Sequence, residues 1–136
     1  MEKTPLDSNI DKASGLRRVI AATRYSLQGL TRLWQEEAFR HEVIAFVTVV
    51  AVFVAVGAHL ADYLICLVLM LILFAVEALN TAIEELVDRI SPEISTVGRH
   101  AKDLGSLAVF CLLCANGVFV VYVVAVRLAD LWPGLA

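Results

Sequence analysis

Two long uncharged apolar runs constrain this chain more than any other feature. They extend from Val43 to Ala61 and from Leu104 to Val126, and each is close to the ~20 residues that a helix needs to cross a hydrocarbon core. Of the 136 residues, 60% are hydrophobic, compared with about 45–50% in an ordinary soluble protein. A water-soluble domain of this size could not bury so much apolar surface. The sequence therefore indicates an all-α integral membrane protein.

A third apolar run is shorter and ends in polar residues. It extends from Tyr63 to Val76 and is followed by Glu77. If Glu77 and Asn80 are admitted, the run becomes long enough to cross the membrane, with a carboxylate inside the bilayer or at its edge. The sequence thus predicts transmembrane helices at about residues 40–60, 63–90 and 102–127.

The distribution of basic residues predicts the orientation of these helices. Seven of the eleven Lys and Arg residues precede the first apolar run, and three more lie between the run that ends at Val76 and the run that begins at Leu104. The short connection at residues 57–62 contains none. By the positive-inside rule, the N-terminus and the second connection are expected in the cytoplasm and the C-terminus outside.

The N-terminal part divides into a tail and a helix. Residues 1–14 are polar and are expected to form a flexible tail, whereas residues 15–136 form a single membrane domain. Within residues 15–36, apolar side chains such as Leu16, Ile20 and Leu27 recur at steps of three and four. This spacing predicts an amphipathic surface helix in the headgroup region. The alternative is a soluble helix that packs on another domain, for which this chain offers little surface.

Composition argues against several other classes of protein. The charged fraction is 18% and the mean hydropathy is +0.78, values that fit neither a disordered chain nor a nucleic-acid-binding protein. The three cysteines all lie within apolar runs, and they form neither a disulfide framework nor a recognisable zinc site. We therefore expect a lipid bilayer, and no nucleic acid, as the partner.

The end of the second span carries a polar stripe. Glu77, Asn80, Glu84 and Asp88 fall within about 80° of one helix face at 3.6 residues per turn. Glu77 and Glu84 are about 10 Å apart along the axis at 1.5 Å per residue, so they can serve different atoms of one substrate. Glu85 points away from this stripe and is expected to face solvent or lipid headgroups.

Two further polar clusters lie at the same predicted depth. Residues 36–42 open the first span and residues 98–106 open the third. Carboxylates here suit Mg²⁺, and Arg18, Arg40 and Lys102 suit phosphate oxygens. No glycine-rich nucleotide loop or protein-kinase motif is present in the sequence. Metal-assisted phosphoryl transfer at the membrane and a proton or ion pathway both remain compatible with these residues.

The motifs in these clusters resemble those of the prokaryotic diacylglycerol kinase family. The similar segments are residues 77–90, which begin Glu-Ala-Leu-Asn-Thr-Ala-Ile-Glu, residues 101–106 (Ala-Lys-Asp-Leu-Gly-Ser) and residues 38–42 (Ala-Phe-Arg-His-Glu). The similarity extends over about residues 15–126. It implies a homotrimeric bundle in the bacterial inner membrane, in which each chain contributes three spans and an amphipathic surface helix. It also implies the use of Mg²⁺ and ATP without a soluble-kinase fold.

The resemblance also implies a role for individual residues. Glu77 corresponds to the general base, and Glu84 and Glu36 correspond to metal ligands. The residues that correspond to nucleotide-binding positions are Arg18, Tyr25, Glu36, Glu84, Glu93, Lys102 and Asp103. The residues that correspond to lipid-side or supporting polar positions are Asn80, Arg40, Glu42 and Ser106.

One segment departs from the family pattern. The chain is one residue shorter between Trp34 and Phe39, so the second metal ligand could be Glu36 or Glu37. Glu36 is preferred because it keeps an i, i+4 relation to Arg40. This preference assumes that the surface helix continues into the first span without a break.

The expected function is ATP-dependent phosphorylation of the primary hydroxyl of diacylglycerol, which yields phosphatidic acid and ADP. The segments around Arg40 and Lys102 look closer to the diacylglycerol type of the family than to its undecaprenol kinases, which are the first alternative. The alternative from another class is a small proton- or ion-conducting oligomer, because the same intramembrane Glu77 would serve it.

Overall fold

The chain folds into four helices. The computed structural model describes residues 15–90 and 95–131. The helices are α1 (Gly15–Leu33), α2 (Glu37–Ala55), α3 (Leu60–Ile90) and α4 (Thr96–Leu131). The all-helical prediction is therefore confirmed. The expected N-terminal tail at residues 1–14 and the candidate residue Glu93 lie outside the described residues.

Three of the helices, α2, α3 and α4, are long and apolar enough to cross a membrane, as the sequence predicts. At 1.5 Å per residue, the 31 residues of α3 span about 46 Å, more than the ~30 Å of a hydrocarbon core. By the same rise, Glu77 lies about 26 Å along α3 from Leu60. The polar stripe therefore lies close to one boundary of the apolar layer. Helix α4 begins at Thr96, six residues before the predicted third span.

Local sequence signals explain the ends of these helices. Helix α2 ends at Ala55, and two residues later Gly57 has a φ of +66°, a left-handed conformation that favours glycine. The Gly57 N–H donates to the Val54 carbonyl at 3.3 Å, and the Ala58 N–H donates to the Phe53 carbonyl at 2.9 Å. These two bonds form a Schellman motif. The motif reverses the chain within a few residues and makes α2 and α3 antiparallel neighbours.

The apolar core lies where α2, α3 and α4 meet. Its least exposed side chains are Phe53, Leu73 and Val123, together with Cys66 and Met70. Helix α3 packs mainly against α4. Many large apolar side chains on the outer faces remain exposed within the described chain, as expected for helices surrounded by lipid.

The connection between α1 and α2 is a bend. Helix α1 ends at Leu33, and Glu36 has an extended backbone with φ −74° and ψ 131°. The Arg40 Nη1 donates to the carbonyl oxygens of Trp34 at 3.2 Å and Gln35 at 3.0 Å. This side chain satisfies carbonyls that the end of a helix leaves without partners. The premise of an unbroken helix through residues 34–36 is therefore wrong.

Candidate active site

Polar residues from the α1–α2 bend, α3 and α4 line one cavity of about 310 Å³. They are Glu36 in the bend, Glu77, Asn80 and Glu84 on α3, and Ser106 on α4. The rest of the wall includes Ala38, Thr81, Val109, Phe110 and Leu113. The 3.6-residue periodicity of α3 places Glu77, Asn80 and Glu84 on the same face. The structure thus brings together five of the residues singled out in the sequence.

Glu77 is the most enclosed carboxylate of the cavity, with 4% of its surface exposed. It lies where α3 packs against α4, and the opposite wall contains the apolar side chains of Val109 and Leu113. Glu36 and Glu84 line the same cavity. Because water screens little in such a place, a cation or a proton donor that enters the cavity would interact strongly with Glu77.

Asn80 connects the polar stripe to α4. Its Nδ2 donates to Glu84 Oε1 at 3.0 Å. Its buried Oδ1 has no hydrogen-bond partner among the described residues, a condition that usually costs free energy. Gly105 faces this oxygen, and a Cβ atom at position 105 would overlap Asn80 Oδ1. Glycine at position 105 therefore leaves room for the Asn80 carboxamide in its present position.

Glu36 reaches the cavity from the N-cap position of α2. Its side chain makes no capping hydrogen bond, and Oε1 instead accepts from Arg32 Nη1 at 2.6 Å. Phe39, only one turn away and buried, packs edge-on against Phe74 of α3 with ring centroids 4.9 Å apart. This contact holds the bend against α3. Glu37, the other candidate carboxylate, is exposed and does not line the cavity.

Two of the candidate residues on α4 lie outside this cavity. The Lys102 Nζ donates to Asp88 Oδ1 of α3 at 2.6 Å. The ammonium group of Lys102 thus offsets the charge of Asp88, the last carboxylate of the polar stripe. Asp103, the neighbour of Lys102, is exposed. Arg18 and Tyr25 on α1 are also exposed and do not line the cavity.

The candidate residues on α2 have other neighbours. Arg40 binds the carbonyl groups of the bend, as described above. Glu42 is buried in a second cavity of about 310 Å³ between α2, α3 and α4, whose wall also contains Met70 and Asn116. Its Oε2 accepts no hydrogen bond from the described part of the chain.

Sequence reasoning assigned no site role to Thr81, Arg32 and Glu85. Thr81 is buried and lines the cavity beside Asn80, and its place at the edge of the polar stripe was the available signal. Arg32 Nε donates to Glu85 Oε1 at 2.5 Å, so Glu85 is exposed but paired rather than only solvated. No spacing rule predicts this pair, because its members are 53 residues apart on different helices.

The donor set of the cavity suits a hard divalent cation. Glu36, Glu77 and Glu84 offer carboxylate oxygens, and Asn80 offers a carbonyl oxygen. No preformed group of three His, Cys, Asp or Glu ligands occurs within residues 15–90 and 95–131. Mg²⁺ is commonly held by one or two carboxylates together with substrate phosphates and water. The residues therefore fit an ion that binds together with a phosphate-bearing substrate.

Comparison with known proteins agrees with this chemistry. The family model described as prokaryotic diacylglycerol kinase matches residues 24–124. A diacylglycerol kinase of Sinorhizobium sp is 53% identical over 115 residues, which cover 85% of this chain and 84% of that protein. The diacylglycerol kinase of Haemophilus influenzae is 37% identical over 108 residues, or 79% of this chain and 92% of that protein.

The diacylglycerol kinase of Escherichia coli K12 is 40% identical over 102 residues, which cover 73% of this chain and 82% of that protein. The matched region contains the cavity residues of α3 and α4 and the bend that carries Glu36. With a family model and several relatives matching over most of its length, the chain belongs to the prokaryotic diacylglycerol kinase family.

Proposed function

We propose that this protein is a diacylglycerol kinase that transfers the γ-phosphoryl group of ATP to the primary hydroxyl of diacylglycerol. The products are phosphatidic acid and ADP. The observation that carries the proposal is the cavity in which the buried Glu77 lies beside Glu36 and Glu84. Membership of the family supports the same reaction. The ion-conducting alternative is not favoured, since the relatives are named as kinases.

Glu77 is the proposed general base. The lipid hydroxyl oxygen forms a bond to the γ-phosphorus, and the bond from that phosphorus to the bridging oxygen of ADP breaks. The hydroxyl proton passes to the Glu77 carboxylate and from there to water. Because phosphoryl transfer leaves little covalent chemistry for the protein to perform, catalysis depends on positioning and on neutralisation of charge. An enclosed carboxylate at the edge of the apolar layer is well placed to meet the hydroxyl of a lipid.

Glu36 and Glu84 are the proposed ligands of Mg²⁺. Asn80 holds the Glu84 carboxylate through Oε1 at 3.0 Å and so orients it. When bound, Mg²⁺ would supply positive charge that offsets the negative charge of the nucleotide phosphates and of the transferred group. Glu36 is preferred over Glu37 because only Glu36 lines the cavity. Glu36 lines the cavity because the chain bends at residues 34–36, and not because a continuous helix carries it there.

The remaining nucleotide contacts are proposed from the family resemblance. They are assigned to Arg18, Tyr25, Glu93, Lys102 and Asp103. Lys102 is paired with Asp88, so an incoming phosphate group would compete with this carboxylate for the ammonium group. Ser106 lies in the cavity wall on the next turn of α4 and is the proposed hydroxyl support for the substrate.

The lipid is proposed to approach along the membrane boundary. Helix α1 exposes apolar side chains that include Val19, Ile20, Leu27 and Leu30, which supports an amphipathic helix lying in the headgroup region. Arg40 and Glu42 are the proposed polar residues on the lipid side. We place the N-terminus in the cytoplasm, the C-terminus outside, and the chain in the bacterial inner membrane, because basic residues concentrate before the first span.

A homotrimer is proposed as the working form. Glu84 is only half-buried within one chain, and polar groups at membrane depth require a protein or aqueous neighbour. Neighbouring copies would supply it. Chemical cross-linking in detergent is expected to yield trimers from the active fraction, whereas an active and strictly monomeric species would contradict this assembly.

The reaction itself is tested with purified protein in mixed micelles that contain Mg²⁺ and γ-labelled ATP. We expect label in phosphatidic acid when diacylglycerol is present, and none when the lipid is omitted. Equal micelles with undecaprenol measure the competing specificity. Faster turnover of undecaprenol would contradict the choice of lipid, and transfer to neither lipid would contradict the kinase function.

A further inference from the structure

Arg32 lies in the last turn of α1 and bridges two carboxylates from different segments. Its Nη1 donates to Glu36 Oε1 of the bend at 2.6 Å, and its Nε donates to Glu85 Oε1 of α3 at 2.5 Å. A guanidinium group suits such a bridge, because its planar fork presents several donors in fixed directions. Arg32 thus connects the bend to the helix that carries Glu77 and Glu84.

This bridge matters because the backbone does little to orient the Glu36 side chain. Glu36 lies at the extended N-cap of α2 and does not cap the helix with its carboxylate. Glu77 and Glu84, in contrast, are fixed by a regular helix. A metal site that draws ligands from both segments needs a link that keeps them in register, because small displacements of ligands are costly.

We propose that Arg32 is a positioning residue that holds the Glu36 carboxylate in place relative to α3, with Glu85 as its anchor. The inference rests on the proposed function, in which Glu36 and Glu84 bind Mg²⁺. Arg32 engages Oε1 of Glu36, so Oε2 would be the oxygen left for a cation. Hydrogen-bonded partners of this kind orient metal ligands, and their loss commonly lowers metal affinity by about 10- to 100-fold.

Arg32 is positively charged throughout the working pH range. The hydrogen bond that Arg32 donates to Glu36 holds the pKa of Arg32 above its usual range, and the bond that it donates to Glu85 adds to this effect. The positive charge of Arg32 can therefore be removed only by substitution.

The bridge also attaches α1 to α3, and the two roles must be separated. An apolar groove of about 470 Å³ lies between these helices, and Arg32 and Glu85 line it together with residues that include Leu30, Phe74 and Ala78. Loss of Arg32 could loosen this contact as well as the Glu36 carboxylate. A charge exchange distinguishes the roles, because Arg32→Glu with Glu85→Arg restores an ion pair between α1 and α3 but places a negative charge beside Glu36.

The first measurement is a Mg²⁺ titration of nucleotide binding, without lipid and without turnover. Arg32→Gln is expected to raise the Mg²⁺ concentration for half-saturation by about 10- to 100-fold. Arg32→Lys should give an intermediate value, since an ammonium group lacks the fork of two fixed donors. The matched control is Arg24→Gln, which removes the same charge from α1 at a residue without an ion pair in the described chain. Equal half-saturation in Arg32→Gln and wild type would overturn the inference.

The second measurement uses the charge exchange, with spin labels at the exposed positions 22 and 86 in a variant without native cysteines. The exchanged pair is expected to keep the wild-type distance between α1 and α3 while the Mg²⁺ requirement stays high. Recovery of wild-type Mg²⁺ affinity would overturn the inference, because Arg32 would then only dock α1. Wild-type protein that neither binds Mg²⁺ and nucleotide nor phosphorylates lipid would instead refute the proposed function.

Discussion

The polar residues at the two ends of the α3–α4 pair have opposite surroundings. At one end, Arg127 of α4 donates to Asp62 Oδ2 of α3 from Nη2 at 2.7 Å and from Nε at 3.3 Å. The same oxygen accepts a hydrogen bond from the backbone N–H of His59 at 2.8 Å. At the other end, Glu77 is buried in the cavity, and Asn80 Oδ1 has no partner within the described residues.

The difference indicates a separate role for each end of the α3–α4 pair. A paired and largely enclosed set of charges such as Asp62 and Arg127, whose side chains are 14% and 15% exposed, connects two helices and leaves little capacity for a ligand. A buried oxygen without a hydrogen-bond partner lowers the stability of the fold. Native proteins retain few such groups, and those that persist commonly have a function. We therefore propose that the cavity end binds the ligands and that the opposite end stabilises the fold. The following variants test this division, beginning with the largest expected effect.

Replacement of Glu77 is expected to have the largest effect. Glu77→Gln preserves shape but removes the proton acceptor, so turnover should fall by about 10²- to 10⁴-fold. Binding of Mg²⁺ and ATP should change little, because other residues hold them. Parallel measurements of lipid phosphorylation and nucleotide binding check this. Near-normal turnover of the variant would refute the assignment of the base.

Replacement of Glu36 is expected to act on the metal. Glu36→Gln should raise the Mg²⁺ concentration needed for half-maximal activity by at least about tenfold. Glu37→Gln is the matched control, since Glu37 is the adjacent carboxylate and faces away from the cavity. A larger effect at Glu37 would move the ligand to that residue. Equal and negligible effects would mean that the bend supplies no metal ligand.

A methyl group at Gly105 is expected to act through Asn80. Gly105→Ala would displace the Asn80 carboxamide and break its hydrogen bond to Glu84, for which a loss of about tenfold in turnover is reasonable. Gly117→Ala on the same helix is the control, because a Cβ there meets nothing within 4 Å. If both alanine variants retain wild-type turnover, the close approach of α4 to Asn80 has no catalytic consequence.

The paired end is expected to show the smallest effect on catalysis. Arg127→Gln leaves Asp62 without its main partner, so the unfolding temperature in detergent should fall. Half-saturation by Mg²⁺ and ATP should stay at the wild-type value. Asp130→Asn is the control, because Asp130 is exposed and its contact with Arg127 is 3.5 Å long. A raised Mg²⁺ requirement in Arg127→Gln would contradict the division between the two ends.

Sequence patterns are sufficient to predict the spans and the shared face of three cavity residues. Uninterrupted apolar runs predict α2 and α4, and a shorter run extended through Glu77 and Asn80 predicts α3, because a helix in lipid must be mostly apolar. The helical period predicted that Glu77, Asn80 and Glu84 share a face, and they line one cavity. Glu93 lies outside the described residues, so its assigned role stays a prediction.

The remaining features depend on contacts between distant residues. The break at residues 34–36 is stabilised by Arg40, which reaches back to the carbonyl groups of the bend. The pairs Arg32–Glu85 and Asp62–Arg127 join residues 53 and 65 positions apart. Periodicity describes the face of a single helix and says nothing about which helix lies opposite. For this reason Glu85 was expected to be solvated, although it is paired.

Binding of Mg²⁺ and ATP to two matched variants tests the division between the ends most directly. Glu84→Gln alters the cavity, and Asp62→Asn alters the paired end, each by one carboxylate on α3. Equilibrium binding with a fluorescent ATP analogue is measured for both, together with the unfolding temperature. We predict that Glu84→Gln weakens binding by about tenfold or more without loss of stability, and that Asp62→Asn lowers stability without loss of affinity. Wild-type affinity in Glu84→Gln, or weakened binding in a folded Asp62→Asn protein, would contradict the account.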